Sequence, residues 1–114
     1  MATESEHRQQ AEHNQRFLDS IDRARFPDWV ATVAFYKAVH LVQMLFIKKA
    51  HRAGSHIRRN QLLKHSYRDI WKSYRLLYSY SRLTRYRCYQ AKPSEIEQVL
   101  KNLQHTEAAV FRKM

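Results

Sequence analysis

Residues 26–54 read FPDWVATVAFYKAVHLVQMLFIKKAHRAG, and the fold turns on this stretch. Pro27 suits the first turn of a helix, where its missing N–H would be unbonded anyway. Gly54, the only glycine in the chain, marks the expected stop. Between them Trp29, Val30, Val33, Phe35, Tyr36, Val39, Leu41, Val42, Met44, Leu45, Phe46 and Ile47 nearly encircle the helix axis. A helix that is apolar all round needs neighbours on several sides, so this one is expected to be central and packed. The same stretch is the one membrane candidate. Lys37, His40 and Gln43 interrupt it, and a lysine near mid-span costs roughly 3 kcal/mol on insertion scales. The reading is a core helix, not a span.

Helical signals continue on both sides. Thr3 and Glu6 form a capping box, which predicts a first helix over residues 3–21 with few apolar positions (Ala11, Phe17, Leu18, Ile21). Its first half, residues 1–10 above all, is expected to be exposed or mobile. Ser55 can cap a short third helix over 56–65. A fourth follows over 67–86, with Tyr67, Ile70, Trp71, Tyr74, Leu77 and Tyr78 as its packed stripe. Residues 88–93 read as a linker. Ser94 and Glu97 offer a second capping box for a last helix carrying Ile96, Val99, Leu100, Leu103, Ala108 and Phe111.

One domain fits in 114 residues. One Gly and two Pro are too few for a turn-rich β-sandwich, and they exclude Gly-rich phosphate loops. A single Cys excludes a disulfide framework and fits a reducing cytosol. The N-terminus resembles neither a signal nor a transit peptide, so a cytoplasmic location is expected. The predicted fold class is all-α, an antiparallel bundle of four to five helices with a core over residues 11–104.

The net charge is +11. Residues 48–92 hold thirteen Lys and Arg against one acid, Asp69. So lopsided a field attracts polyanions, nucleic acid first. Arg68, Lys72, Arg75, Ser79 and Arg82 recur at helical spacing and face away from the packed stripe. Six of the seven Tyr lie in residues 67–89 among these bases. Arginine forks grip phosphate and tyrosine rings stack on unpaired bases. The candidate nucleic-acid contacts are Arg58, Arg68, Lys72, Arg75, Arg82, Arg85 and Tyr86. Tyr67, Tyr74 and Tyr78 read as core, and Tyr80, Tyr86 and Tyr89 as freer.

Seven histidines are scattered without a metal-ligand spacing, so neither metal nor cofactor is expected. His56 stands out. It opens a helix, and Arg59 and Asn60 follow at i+3 and i+4 on the same face. An imidazole can move a proton while a guanidinium holds phosphate charge, which suits phosphodiester chemistry without a metal.

Phe26-Pro27-Asp28-Trp29, then Ala31 to His40, then Ser55-His56 with Arg59-Asn60, and later Tyr80-Ser81-Arg82 with Arg85-Tyr86, resemble small bacterial proteins of the HEPN superfamily. The resemblance spans residues 11–104 and implies a four- to five-helix bundle, usually a dimer. It also implies one of two roles. Some members are metal-independent endoribonucleases of toxin–antitoxin, CRISPR and anti-phage systems; others are inactive nucleic-acid binders. By the family motif, Arg59-Asn60 pairs with His65, adding His65 to the catalytic candidates His56, Arg59 and Asn60. Residues six apart on an unbroken helix point about 120° apart, so His56 is preferred over His65 as the partner of Arg59. The expected partner is RNA or single-stranded nucleic acid. The alternative is a non-catalytic subunit of a ribonucleoprotein or CRISPR-type complex. No membrane partner is expected.

Overall fold

The computed structural model describes residues 2–114. They form five helices, α1 (Glu4–Ser20), α2 (Pro27–Lys48), α3 (His56–Ser66), α4 (Arg68–Tyr86) and α5 (Pro93–Lys113). There is no strand among the described residues. Thr3 starts α1 through the capping box its sequence implies: its hydroxyl accepts from the Glu6 N–H, and the Glu6 carboxylate accepts from the Thr3 N–H. Ser55 caps α3 by accepting from the Arg58 N–H at 3.2 Å.

The central helix is α2, which packs against α1, α4 and α5. Fourteen of its residues are buried, and 78% of its most apolar window lies inside the protein, although its length and composition would let it cross a membrane. Phe35 is fully buried and lies 5.5–5.6 Å, ring centroid to centroid, from His56, Tyr74 and Tyr78. Lys37 is also buried. Its ammonium meets Glu107 of α5 at 2.9 Å and Gln15 of α1 at 2.7 Å, so one charge ties three helices together. On α4 and α5, the hydroxyls of Ser73 and Thr106 bond at 2.7 Å across the buried seam.

Four expectations need correction. First, α2 stops at Lys48, short of Gly54. Ala50 takes the left-handed conformation (φ 60°). The His51 N–H then bonds the Phe46 carbonyl at 2.8 Å, and the Ala50 N–H bonds that of Ile47 at 3.1 Å. This is a Schellman closure on a residue other than glycine. The left-handed position costs an L-residue about 1–2 kcal/mol. Ala50→Gly is therefore expected to raise stability by about 1 kcal/mol, read as a higher urea midpoint at unchanged m-value; an unchanged or lower midpoint would contradict it.

Second, α5 begins at Pro93, and the residue at its N-cap is Lys92, not Ser94. Glu95 accepts from the Lys92 N–H at 2.8 Å and takes over the role expected of Glu97. Third, Tyr80 and Tyr89 are not free. Both hydroxyls donate to the Glu95 carboxylate at 2.7–2.9 Å and fasten the turn between α4 and α5. The bonds from Lys92, Tyr89 and Tyr80 hold that carboxyl below its usual range. Fourth, Trp29 is 53% exposed instead of packed. The first half of α1 is mostly exposed, as expected, but it docks through buried Ala11 and half-buried His7.

Candidate nucleic-acid interface

The basic stripe of α4 is a solvent face. Arg68, Lys72, Arg75 and Arg82 are all exposed. Asp69, the one acid of residues 48–92, reaches Lys113 of α5 at 3.5 Å. The stripe thus carries its charge without a carboxylate of the described residues bonded to it.

Beside the stripe, Arg59 of α3 lies near the buried Tyr74 hydroxyl of α4, whose pKa burial pushes up to about 12 while the Arg59 charge draws it down. This arginine is 6% exposed. Its Nη1 lies 2.9 Å from His56 Nδ1 on the preceding turn. Its Nε is buried without a hydrogen-bond partner, as are Asn60 Oδ1 and the Tyr74 hydroxyl. Among the described residues, no carboxylate forms an ion pair with it. A guanidinium always donates, so His56 Nδ1 accepts and the ring proton sits on Nε2. His56 therefore offers a second N–H alongside the guanidinium. Burial, then the charges of Arg59, Arg85 and Arg82, push the His56 pKa below its ordinary value.

Around this pair lies an array of rings and cations. The Arg85 Nη1 donates to the Tyr36 hydroxyl at 2.6 Å. Its guanidinium carbon is 5.3 Å from the Tyr36 ring centroid and 4.9 Å from that of Tyr86. Arg82 lies 5.5 Å from Tyr86 and 5.7 Å from Tyr78. The Tyr78 ring is 6.0 Å from His56. On the α1 side, His7 and His40 meet Nδ1 to Nδ1 at 2.9 Å.

Of the sequence candidates, His56, Arg59, Arg82, Arg85 and Tyr86 come together. Asn60 shares no hydrogen bond with them. Arg58 and His65 do not join them; they line a separate cleft with His51, Arg52, Gln61 and Leu62. Tyr36, Tyr78, His7 and His40 were not among the residues expected to touch nucleic acid. Tyr36 and His40 are two polar-tipped residues four apart on an otherwise apolar helix, a signal that could have marked this side of α2. His7 carried no such signal. Among the described residues, no group of three metal-ligating side chains clusters.

The imidazoles make stability depend on pH. Burial is the largest cause lowering the pKa of His7 and of His40 from 6.5, and the Arg59 charge adds to it. Glu6 alone opposes, at His7. With folded values below the unfolded one, the unfolded chain takes up protons first as pH falls. The contribution of these groups is present above about pH 6.5 and is lost as pH drops through the folded values. The melting temperature is expected to fall between pH 7.5 and 5.5, and less steeply in His40→Gln. Equal slopes would show that the pair is not responsible.

No family model matches the sequence, and no curated protein or solved structure does either.

Proposed function

We propose that this chain, an antiparallel five-helix bundle resembling HEPN proteins, binds RNA or single-stranded nucleic acid across α3 and α4 and seats one phosphate at Arg59. One observation carries the reading: Arg59 is a buried guanidinium with an orphaned Nε and no carboxylate on it among the described residues. An isolated buried charge is costly and is normally paired. A phosphodiester supplies the missing charge and accepts the fork as well as the Nε2–H of His56. The exposed Arg68–Arg82 stripe then tracks the flanking backbone.

A second reading is metal-independent cleavage, favoured by an imidazole that is held neutral at pH 7 beside a guanidinium. A phosphate that draws Arg59 away frees the lone pair on His56 Nδ1. That lone pair can accept the 2′-hydroxyl proton as the 2′-oxygen attacks phosphorus and the P–O5′ bond breaks; the imidazolium so formed gives a proton to the departing 5′-oxygen, leaving a 2′,3′-cyclic phosphate and a 5′-hydroxyl.

The test is a labelled RNA pool incubated with the protein in EDTA, read for binding and for cyclic phosphate ends. Binding is expected to weaken steeply with salt. Neutralising Arg68, Lys72, Arg75 and Arg82 together should flatten the slope by about 0.7 for each single-strand phosphate that no longer meets a cation. A folded quadruple variant with an unchanged slope moves the interface elsewhere. If cyclic ends form, His56→Ala and Arg59→Ala should abolish them while His65→Ala has the milder effect. Loss in His65→Ala alone assigns the chemistry to the other cleft. Binding without cleavage leaves a binding subunit, and no binding at all removes the proposal.

A further inference from the structure

Trp29 is out of place on α2. The helix is the core of the protein, yet this large ring is 53% exposed. Counting at 100° per residue, Tyr36 and His40 fall about 20° to either side of Trp29 around the helix. Trp29 therefore lies on the side of α2 that carries Tyr36, two turns and about 10.5 Å before it along the axis. Tyr36 is itself the inner end of the ring-and-cation array, which passes through Arg85 to Tyr86. Tyr86 is 64% exposed. The exposed rings of Trp29 and Tyr86 thus stand at the two ends of a row that runs from α2 through Tyr36 and Arg85 to α4, with Arg82 beside Tyr86.

We infer that Trp29 and Tyr86 form a base-stacking platform that restricts the ligand of this face to single-stranded RNA or DNA. The inference rests on the polyanion reading above and narrows it. The choice of a nucleobase as occupant follows from charge. An apolar protein surface would cover the rings but bring nothing for Arg59, Arg82 and Arg85, which have no carboxylate partner among the described residues. A nucleotide brings a flat ring and a phosphate together. Bases inside a duplex are already stacked on one another and cannot lie on the platform, whereas unpaired bases can.

The experiment titrates the protein with a short single-stranded RNA, a duplex of the same length, and inorganic polyphosphate. Trp fluorescence and affinity are read in wild type, Trp29→Ala and Trp29→Phe. Single-stranded RNA is expected to quench the wild type, and polyphosphate to bind without quenching. Trp29→Ala should lose single-strand affinity by roughly 5- to 150-fold, the range for one stacked base, with polyphosphate affinity unchanged. Trp29→Phe keeps a ring and should keep the preference for single strands while losing the quench, since the remaining Trp71 is half-buried on α4. Polyphosphate binding together with wild-type RNA affinity in Trp29→Ala overturns the platform and leaves the polyanion reading standing. So does a wild-type dimer that becomes monomeric in Trp29→Ala with the strand preference intact, which assigns the ring to a second copy. Failure of both RNA and polyphosphate to bind removes the underlying reading itself.

Discussion

Replacing Phe35 by alanine is expected to cost about 3–5 kcal/mol of stability, while Trp29→Ala costs about 1 kcal/mol or less. The two aromatics sit six residues apart on one apolar helix and look equivalent in sequence. They differ in what covers them. Phe35 has no exposed surface, and its ring centroid lies within 5.6 Å of those of Tyr36, His56, Tyr74 and Tyr78. Its removal opens a cavity where α2, α3 and α4 meet, and packed cores close such cavities only partly. A domain of this size has on the order of 5–15 kcal/mol in total, so Phe35→Ala should be marginally folded at 37 °C. Trp29 leaves no cavity, because half of its ring already faces solvent. Urea unfolding at pH 7.5 measures both. Equal losses would mean that Trp29 is covered in solution, or that Phe35 is not the hub its neighbours imply. The cavity also removes the ring against which His56 rests, so ligand affinity should fall in Phe35→Ala even where the fold survives.

The contrast shows how far pattern reaches. Helix order and most helix starts were legible because their causes are local: Pro27 at a first turn, Thr3 and Ser55 at N-caps. Two boundaries were not. Ala50 ends α2 in a conformation that glycine adopts more cheaply, and nothing in the residue type announces it. At α5, Lys92 serves as N-cap because its backbone N–H meets Glu95, although Ser94 has the better capping side chain. Trp29 was misplaced for a different reason. On a helix that is apolar all round, periodicity contains no minimum, so it cannot say which side lacks a neighbour. Within the candidate site, the same division holds. The His56–Arg59 contact and the divergence of His65 follow from 100° per residue. The approach of Arg85 to Tyr36, and of His7 to His40, joins residues on different helices and had no local trace.

Arg59→Met is expected to stabilise the protein and disable it together. Methionine has about the same reach and no charge, so it fills the space without the cost of keeping an ion out of water. Replacing buried ionic groups by apolar ones of similar volume is often neutral or stabilising by about 1–4 kcal/mol. Arg59 lies toward the favourable end of that range, since its Nε is unbonded and no carboxylate among the described residues pairs with it; its Nη1 meets an imidazole. In the same variant the phosphate seat loses its fork. RNA affinity should fall by tenfold or more, as for a charge-assisted bond of about 1.5–3 kcal/mol. Arg59→Lys keeps the charge but not the planar fork and should lie between the two in affinity. Inorganic phosphate gives an independent readout. A ligand that binds only the folded state raises its melting temperature, so phosphate should protect the wild type and not Arg59→Met. Opposite signs for stability and binding are the mark of a residue kept for function against the interest of the fold. A variant that unfolds more easily and binds RNA as before would make Arg59 a structural residue, with its orphaned Nε left unexplained.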